Sequence, residues 1–165
     1  MATAAEYKAR ILSFVEGKDP LEVQRQTPAH LAQLTEGITE TKLYERPDAG
    51  KWSVAELVAH LADAEIGCYW RYRRMIEHNG GPLPPYDQEL WSTLGKNNSR
   101  AVSDSLLLFR LLREYNLRML EALSAEQWEC YGMHAERGRM SVRDLAQQIA
   151  GHDLNHLEQI RKILA

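Results

Sequence analysis

The sequence predicts an all-α fold: a four-helix bundle with short extra helices and one long irregular connection. Three observations predict it. Apolar residues recur at helical spacing over several long stretches, serine-led capping patterns open two of the longest, and no segment sustains the two-residue alternation of a half-buried strand. The 165 residues suffice for one domain with a substantial core. The reading is a single domain over residues 1–165, with residues 1–18 as an N-terminal helical extension.

Residues 4–16 form a short amphipathic stretch closed by Gly17-Lys18-Asp19-Pro20. Residues 20–37 continue the helical rhythm through Leu21, Val23, Leu31 and Leu34. Thr27-Pro28 predicts a restart or a kink there, because proline fits best in the first turn of a helix. Residues 53–78 form a long helix, opened by the capping box Ser53/Glu56 and ended by Asn79-Gly80-Gly81-Pro82. From Gly80 to about Arg100 the chain carries Pro82, Pro84, Pro85, Gly95, Asn97 and Asn98, the composition of a functional loop or crossover. Helical spacing returns over residues 103–123 with Leu106, Phe109, Leu112 and Met119. Residues 141–164 make the last helix, opened by Ser141-Val142-Arg143-Asp144.

The apolar fraction of 44% and charged fraction of 26% are ordinary for a globular protein. A formal net charge of −3 argues against nucleic acid or anionic lipid as partner. No apolar run is long enough for a signal peptide or a membrane span, so the expected location is cytoplasmic. Cys68 and Cys130 lie outside any CxxC motif and are expected to be reduced packing residues.

The two halves resemble each other. Gly50-Lys51-Trp52-Ser53-Val54 matches Gly138-Arg139-Met140-Ser141-Val142 at an offset of 88 residues. Upstream of each lies a short capped turn, Thr39 to Leu43 and Ser124 to Trp128. The pattern suggests two helix–turn–helix halves assembled into a bundle, although capped helices often begin alike.

Three histidines carry most of the functional signal. His152 and His156 are four apart, so their imidazoles share one helix face. His60 lies in the counterpart helix at a depth that puts it near the same level if the two helices pack side by side. Three imidazoles from facing helices would leave coordination positions open, the pattern of a reactive metal site. HxxxH by itself is a weak motif, and a histidine on a mixed helix face more often packs than ligates; His30 and His78 take that second reading. What raises the metal reading is Gly151 beside the pair, and nearby Glu56, Asp63, Asp153 and Asn155, which can accept the second ring N–H and fix the tautomer. Cys68 is eight positions after His60, about 80° around an ideal helix, and is a poor fourth ligand.

These motifs carry a resemblance. Gly50 to Val54, His60-Leu61-Ala62-Asp63-Ala64-Glu65 and Gly151-His152-Asp153-Leu154-Asn155-His156, with Met133 to Ser141 and Pro85 to Trp91, resemble the DinB/YfiT-like family from about residue 20 onward. The resemblance implies a four-helix bundle that binds a divalent metal, most often nickel or zinc, through His60, His152 and His156. It also implies a homodimer acting on a small-molecule substrate. Relatives in the family transfer low-molecular-weight thiols such as bacillithiol or mycothiol, isomerise maleylpyruvate with a thiol cofactor, or are described as metal-dependent hydrolases.

Neutral imidazoles cancel none of a divalent ion's charge, so such a site can acidify either a water or an incoming thiol. Hydrolysis and S-transfer both remain open on these residues. Asp63, three positions after His60, is a candidate general base, with a helix-surface or ring-orienting role as the simpler reading; for Glu56 capping alone suffices. His134, in the loop before the last helix, is a candidate proton-transfer or substrate residue. Arg71 stands about 20° from His60 on the same helix face and could meet a substrate carboxylate, or be a solvated arginine of the Arg71-Tyr72-Arg73-Arg74 run. Tyr86 and Trp91, in the irregular segment, are the aromatics expected to line a pocket. The rival reading is a non-catalytic dimeric bundle with a structural or vestigial metal site.

Overall fold

The computed structural model describes residues 4–165. In chain order the elements are α1 (Ala4–Ser13), α2 (Pro20–Thr35), α3 (Glu40–Tyr44), α4 (Val54–Glu77), β1 (Pro82–Leu83), α5 (Gln88–Leu94), α6 (Val102–Glu121), α7 (Ala125–Glu129), β2 (Tyr131–His134), β3 (Gly138–Ser141) and α8 (Val142–Leu164). The four long helices close a circuit: α4 packs on α6 and α8, and α2 packs on α6 and α8. The expected four-helix bundle is therefore present, with α1 laid against α8, α3 and α5 against α4, and α7 against α8.

Capping explains where the long helices begin. Ser53 and Glu56 bond reciprocally at the start of α4, and Ser141 and Asp144 do the same at the start of α8. Asp19 accepts from Leu21 and Glu22 at the start of α2, with Pro20 in the first turn. The two sequence-related halves hold equivalent places: the short capped helices α3 and α7 pack on α4 and α8 respectively.

Pro28 departs from expectation. It sits inside one continuous α2 rather than restarting it. A proline in a helix interior leaves the carbonyl four residues back without its N–H partner. Here that carbonyl belongs to Gln24, and the buried Arg113 guanidinium of α6 donates to it at 2.9 Å. The tertiary bond replaces the helical one.

A second departure is a small sheet. Tyr131–His134 pairs antiparallel with Gly138–Ser141, and Pro82–Leu83 adds in parallel beside Met133 and His134. The strands are two to four residues long, too short for alternation to show in the sequence. The segment read as irregular also contains a helix, α5, capped by Asp87.

The core divides in two. One apolar cluster gathers Leu31, Leu57, Val58, Leu61, Phe109, Leu157 and Ile160; another gathers Cys68, Tyr72, Met75, Leu120, Met140 and Leu145. Between the two clusters each long helix carries buried polar residues: Gln24 on α2, Glu65 on α4, Arg113 and Asn116 on α6, Asp153 on α8. No helix among the described residues is long and apolar enough to cross a membrane.

Candidate metal centre

His60 projects from the second turn of α4, and His152 with His156 from the middle of α8. The packing of α4 on α8 brings all three together. His152 Nε2 lies 3.1 Å from His60 Nε2 and 3.1 Å from His156 Nε2. The three ligand atoms all fall within 4.8 Å of one another, and the rings are buried or nearly so. The Trp52 ring stands 4.9 Å from that of His60 and covers one side of it.

The tautomer of His156 follows from its partner. Its Nδ1 is 3.1 Å from the carbonyl oxygen of the Gln159 side chain, an acceptor only, so Nδ1 carries the proton and Nε2 presents a lone pair. Charge is disfavoured here as well. Burial, and then the neighbouring imidazoles, hold His60 well below the usual histidine range. Burial and His152 push His156 down to about 3, against the raising effect of Gln159.

Neutral imidazoles with converging Nε2 atoms are a donor set that fits a divalent ion. Ligand nitrogens about 2.0–2.1 Å from a shared ion and roughly 100° apart are about 3.1 Å from each other. The His60–His152 and His152–His156 separations match that spacing.

The histidines form part of the wall of a cavity of about 450 Å³. Tyr7, Arg10 and Ile11 of α1 line it, together with Arg71, Tyr86, His134, Glu136, Arg137, Gln148, Asn155 and Gln159. Three arginines against one acidic side chain make this wall basic. Arg71 stacks over the Tyr86 ring at 5.2 Å and donates to the Pro84 carbonyl at 3.3 Å. Tyr86 packs against Gly67 of α4, and burial pushes its phenol up to about 12. His134 is the last residue of β2 rather than part of a loop. Its Nδ1 accepts from the Glu136 N–H at 3.2 Å, which leaves any neutral-form proton on Nε2. Burial, then Arg137 and Arg71, lower its pKa.

Two of the sequence candidates sit elsewhere. Asp63 is held by Asn97 at 2.9 Å and Arg100 at 3.3 Å, tying α4 to the turn after α5, and it does not line the cavity. Trp91 is one layer back, its ring 4.5 Å from Tyr86, which it supports. Glu56 caps its own helix and pairs with Arg46. Conversely, Tyr7, Arg10, Arg137 and Gln159 were not legible as site residues. Only Gln159 left a trace, one helical turn after His156.

The DinB superfamily pattern matches residues 24–160, and those residues include all three histidines. The chain belongs to the DinB superfamily. It is 28% identical over 160 residues to YfiT of Bacillus subtilis, covering 96% of this chain and 90% of that protein. It is 24% identical to a protein of Oceanobacillus iheyensis, likewise named for metal-dependent hydrolysis, over 82% of this chain and 78% of that one. The solved structure of YfiT superposes with a TM-score of 0.82 at 22% identity, over 99% of this chain and 88% of that chain. YfiT is described as a probable metal-dependent hydrolase with an unusual four-helix bundle topology. The DinB-superfamily fold and the buried three-histidine cluster, capable of holding a metal ion, thus agree in one molecule.

Proposed function

We propose that this chain is a metal-dependent enzyme, a hydrolase or a low-molecular-weight-thiol S-transferase, acting on a small acidic molecule. The observation that carries the reading is the convergence of three Nε2 atoms on the wall of a basic cavity. The names of the relatives support the hydrolytic form. An all-imidazole set suits zinc or nickel. When bound, such an ion would acidify a water or a thiol at its open position.

The chain's own side chains supply the rest. Arg71 and Arg137 meet an anionic group of the substrate, with Arg71 steadied by Pro84 and Tyr86. His134 holds a transferable proton on Nε2 at the same wall. Gln159 keeps His156 in the ligating tautomer. Cys68 reaches the cavity, but burial first, and then Glu65, raise its pKa well above the thiol range. A thiol nucleophile would therefore come from a small molecule and not from the chain.

A homodimer belongs to the same proposal. Ile66, Tyr69 and Trp70 on α4 and Leu107, Leu111 and Tyr115 on α6, two helices that pack together, are large apolar residues left exposed. Sedimentation or light scattering would report the state directly.

The test of the enzyme reading is metal content followed by turnover. One equivalent of zinc or nickel per chain is expected, lost in His156→Ala while the helical circular dichroism signal persists. Metal-dependent cleavage of acidic esters or amides, or consumption of a small thiol, should then appear and be weakened in Arg71→Gln. A wild-type protein that takes up no divalent ion under any loading condition would refute it.

A further inference from the structure

Arg113 of α6 is fully enclosed, with a carboxylate on either side. Its Nη1 donates to Asp153 Oδ2 at 2.6 Å and its Nη2 to Glu65 Oε1 at 2.8 Å. All three side chains are 1–2% exposed. Asn116 donates to Glu65 at 2.8 Å, and the Gln24 carbonyl freed by Pro28 accepts from Arg113. Two carboxylates share one guanidinium, so the group carries one formal negative charge beyond balance. A buried charge without a counter-ion is costly. The other two buried acids of α4, Glu56 and Asp63, have their own cations in Arg46 and Arg100.

The surplus faces the histidines. The remaining oxygen of Asp153, Oδ1, has no hydrogen-bond partner, and neither has His152 Nδ1; both are buried. They lie 3.9 Å apart. That gap is under 1 Å beyond hydrogen-bond range, roughly 3.2 Å, so a shift of less than 1 Å would close it. Only Nδ1–H can donate to a carboxylate, so the bond would fix the proton on Nδ1 and present the His152 Nε2 lone pair toward His60 and His156.

We infer that Asp153, clamped by Arg113, is the positioning residue for His152 and that the Asp153–Arg113–Glu65 group is the buried counter-charge of the bound cation. This rests on the metal-binding reading above. Ion uptake and the buried ion group are then coupled: the ion neutralises the surplus charge, and the surplus charge strengthens ion binding. The arrangement also accounts for a polar layer that divides an otherwise apolar core.

The experiment compares wild type, Asp153→Asn and Glu65→Gln, each checked for helical content. Zinc and nickel dissociation constants come from chelator competition, and melting temperatures are taken with and without the ion. Asp153→Asn is expected to bind the ion about 10- to 100-fold more weakly and to lose most of the ion-induced rise in melting temperature. Glu65→Gln removes the same charge without touching His152 and should weaken binding by less. A purely structural role for Asp153 would lower both melting temperatures alike and leave the dissociation constant unchanged, which overturns the inference. Equal losses in the two variants overturn the positioning role and leave the charge role standing. Should Asp153→Asn fail to fold, nitrogen NMR of the wild type decides: the loaded protein should show a hydrogen-bonded proton on His152 Nδ1, and its absence refutes the assignment. If wild type itself takes up no ion, the metal reading falls and this inference with it; if wild type binds and Asp153→Asn matches it, this inference alone falls.

Discussion

Gly151→Ala tests how α1 is held over the site. A Cβ at position 151 would stand 2.0 Å from the Ile11 carbonyl oxygen and 2.7 Å from its carbon. Ordinary contacts need about 3.5 Å, so α1 must retreat by roughly 1–1.5 Å or leave α8. Overpacking of this kind costs about 1–3 kcal/mol. Alanine also stabilises the α8 helix by about 0.5–1 kcal/mol relative to glycine. That gain belongs to α8 itself, so global stability should fall by only about 0–2.5 kcal/mol. The docking of α1 receives none of the gain and bears the whole cost. At about 1.4 kcal/mol per factor of ten, local opening of α1 should rise about 5- to 150-fold. Hydrogen exchange of α1 peptides, followed by mass spectrometry, reads this directly, with α4 and α6 as unchanged references. Tyr7 and Arg10 ride on α1 and line the cavity, so binding of an acidic ligand should weaken in parallel. Unaltered exchange in α1 would refute the reasoning, because no side chain separates the new methyl group from the Ile11 backbone.

Three further outcomes are expected. The metal-free protein should lose stability as pH falls from about 6.5 toward 3: an unfolded histidine takes up its proton near 6.5, whereas His156 resists until about 3 and His60 shifts the same way. His156 contributes about 1.4 kcal/mol per pH unit in that window, and His60 adds in the same direction; equal urea midpoints at pH 7.5 and pH 5 would contradict this, and His156→Gln should flatten the slope. A thiol reagent should modify Cys130 first in the native protein and Cys68 far more slowly, because Cys68 is buried and its thiol is held protonated, as time-resolved mass mapping would show. Asp63→Ala should cost about 1–3 kcal/mol in denaturant titration, since it leaves the buried Asn97 amide without its acceptor, while zinc affinity stays the same; a folded, metal-loaded variant without activity would return Asp63 to the chemistry.

The bundle was legible because its signals are local. Apolar spacing and the serine capping boxes at Ser53 and Ser141 act within a few residues, and they mark α4 and α8 to within one residue. The sheet was not legible, since each strand contributes too few residues to set a period; β2 and β3 form a local hairpin, and only β1 is held by a partner about fifty residues away. The partners of Asp63 were hidden for a related reason. Its spacing from His60 says which face of α4 it occupies, but Asn97 and Arg100 reach it from a segment whose path no local rule fixes. The charged residues Glu65 and Arg113 lie in phase with the apolar residues of their helices, Leu61 and Phe109, a detectable oddity whose meaning appears only when the helices meet.

The chain's residue order by itself determined which histidines could act together, because an i, i+4 pair shares a helix face whatever the surroundings. It also determined the number and polarity of the long helices, through short-range backbone and side-chain rules. Only the tertiary structure decided that His60 meets His152, that Pro28 hands a carbonyl to Arg113, and that α1 brings Arg10 and Tyr7 to the cavity. Those contacts join segments far apart in the chain, and their free energy comes from packing and buried charge that no local stretch of residues contains.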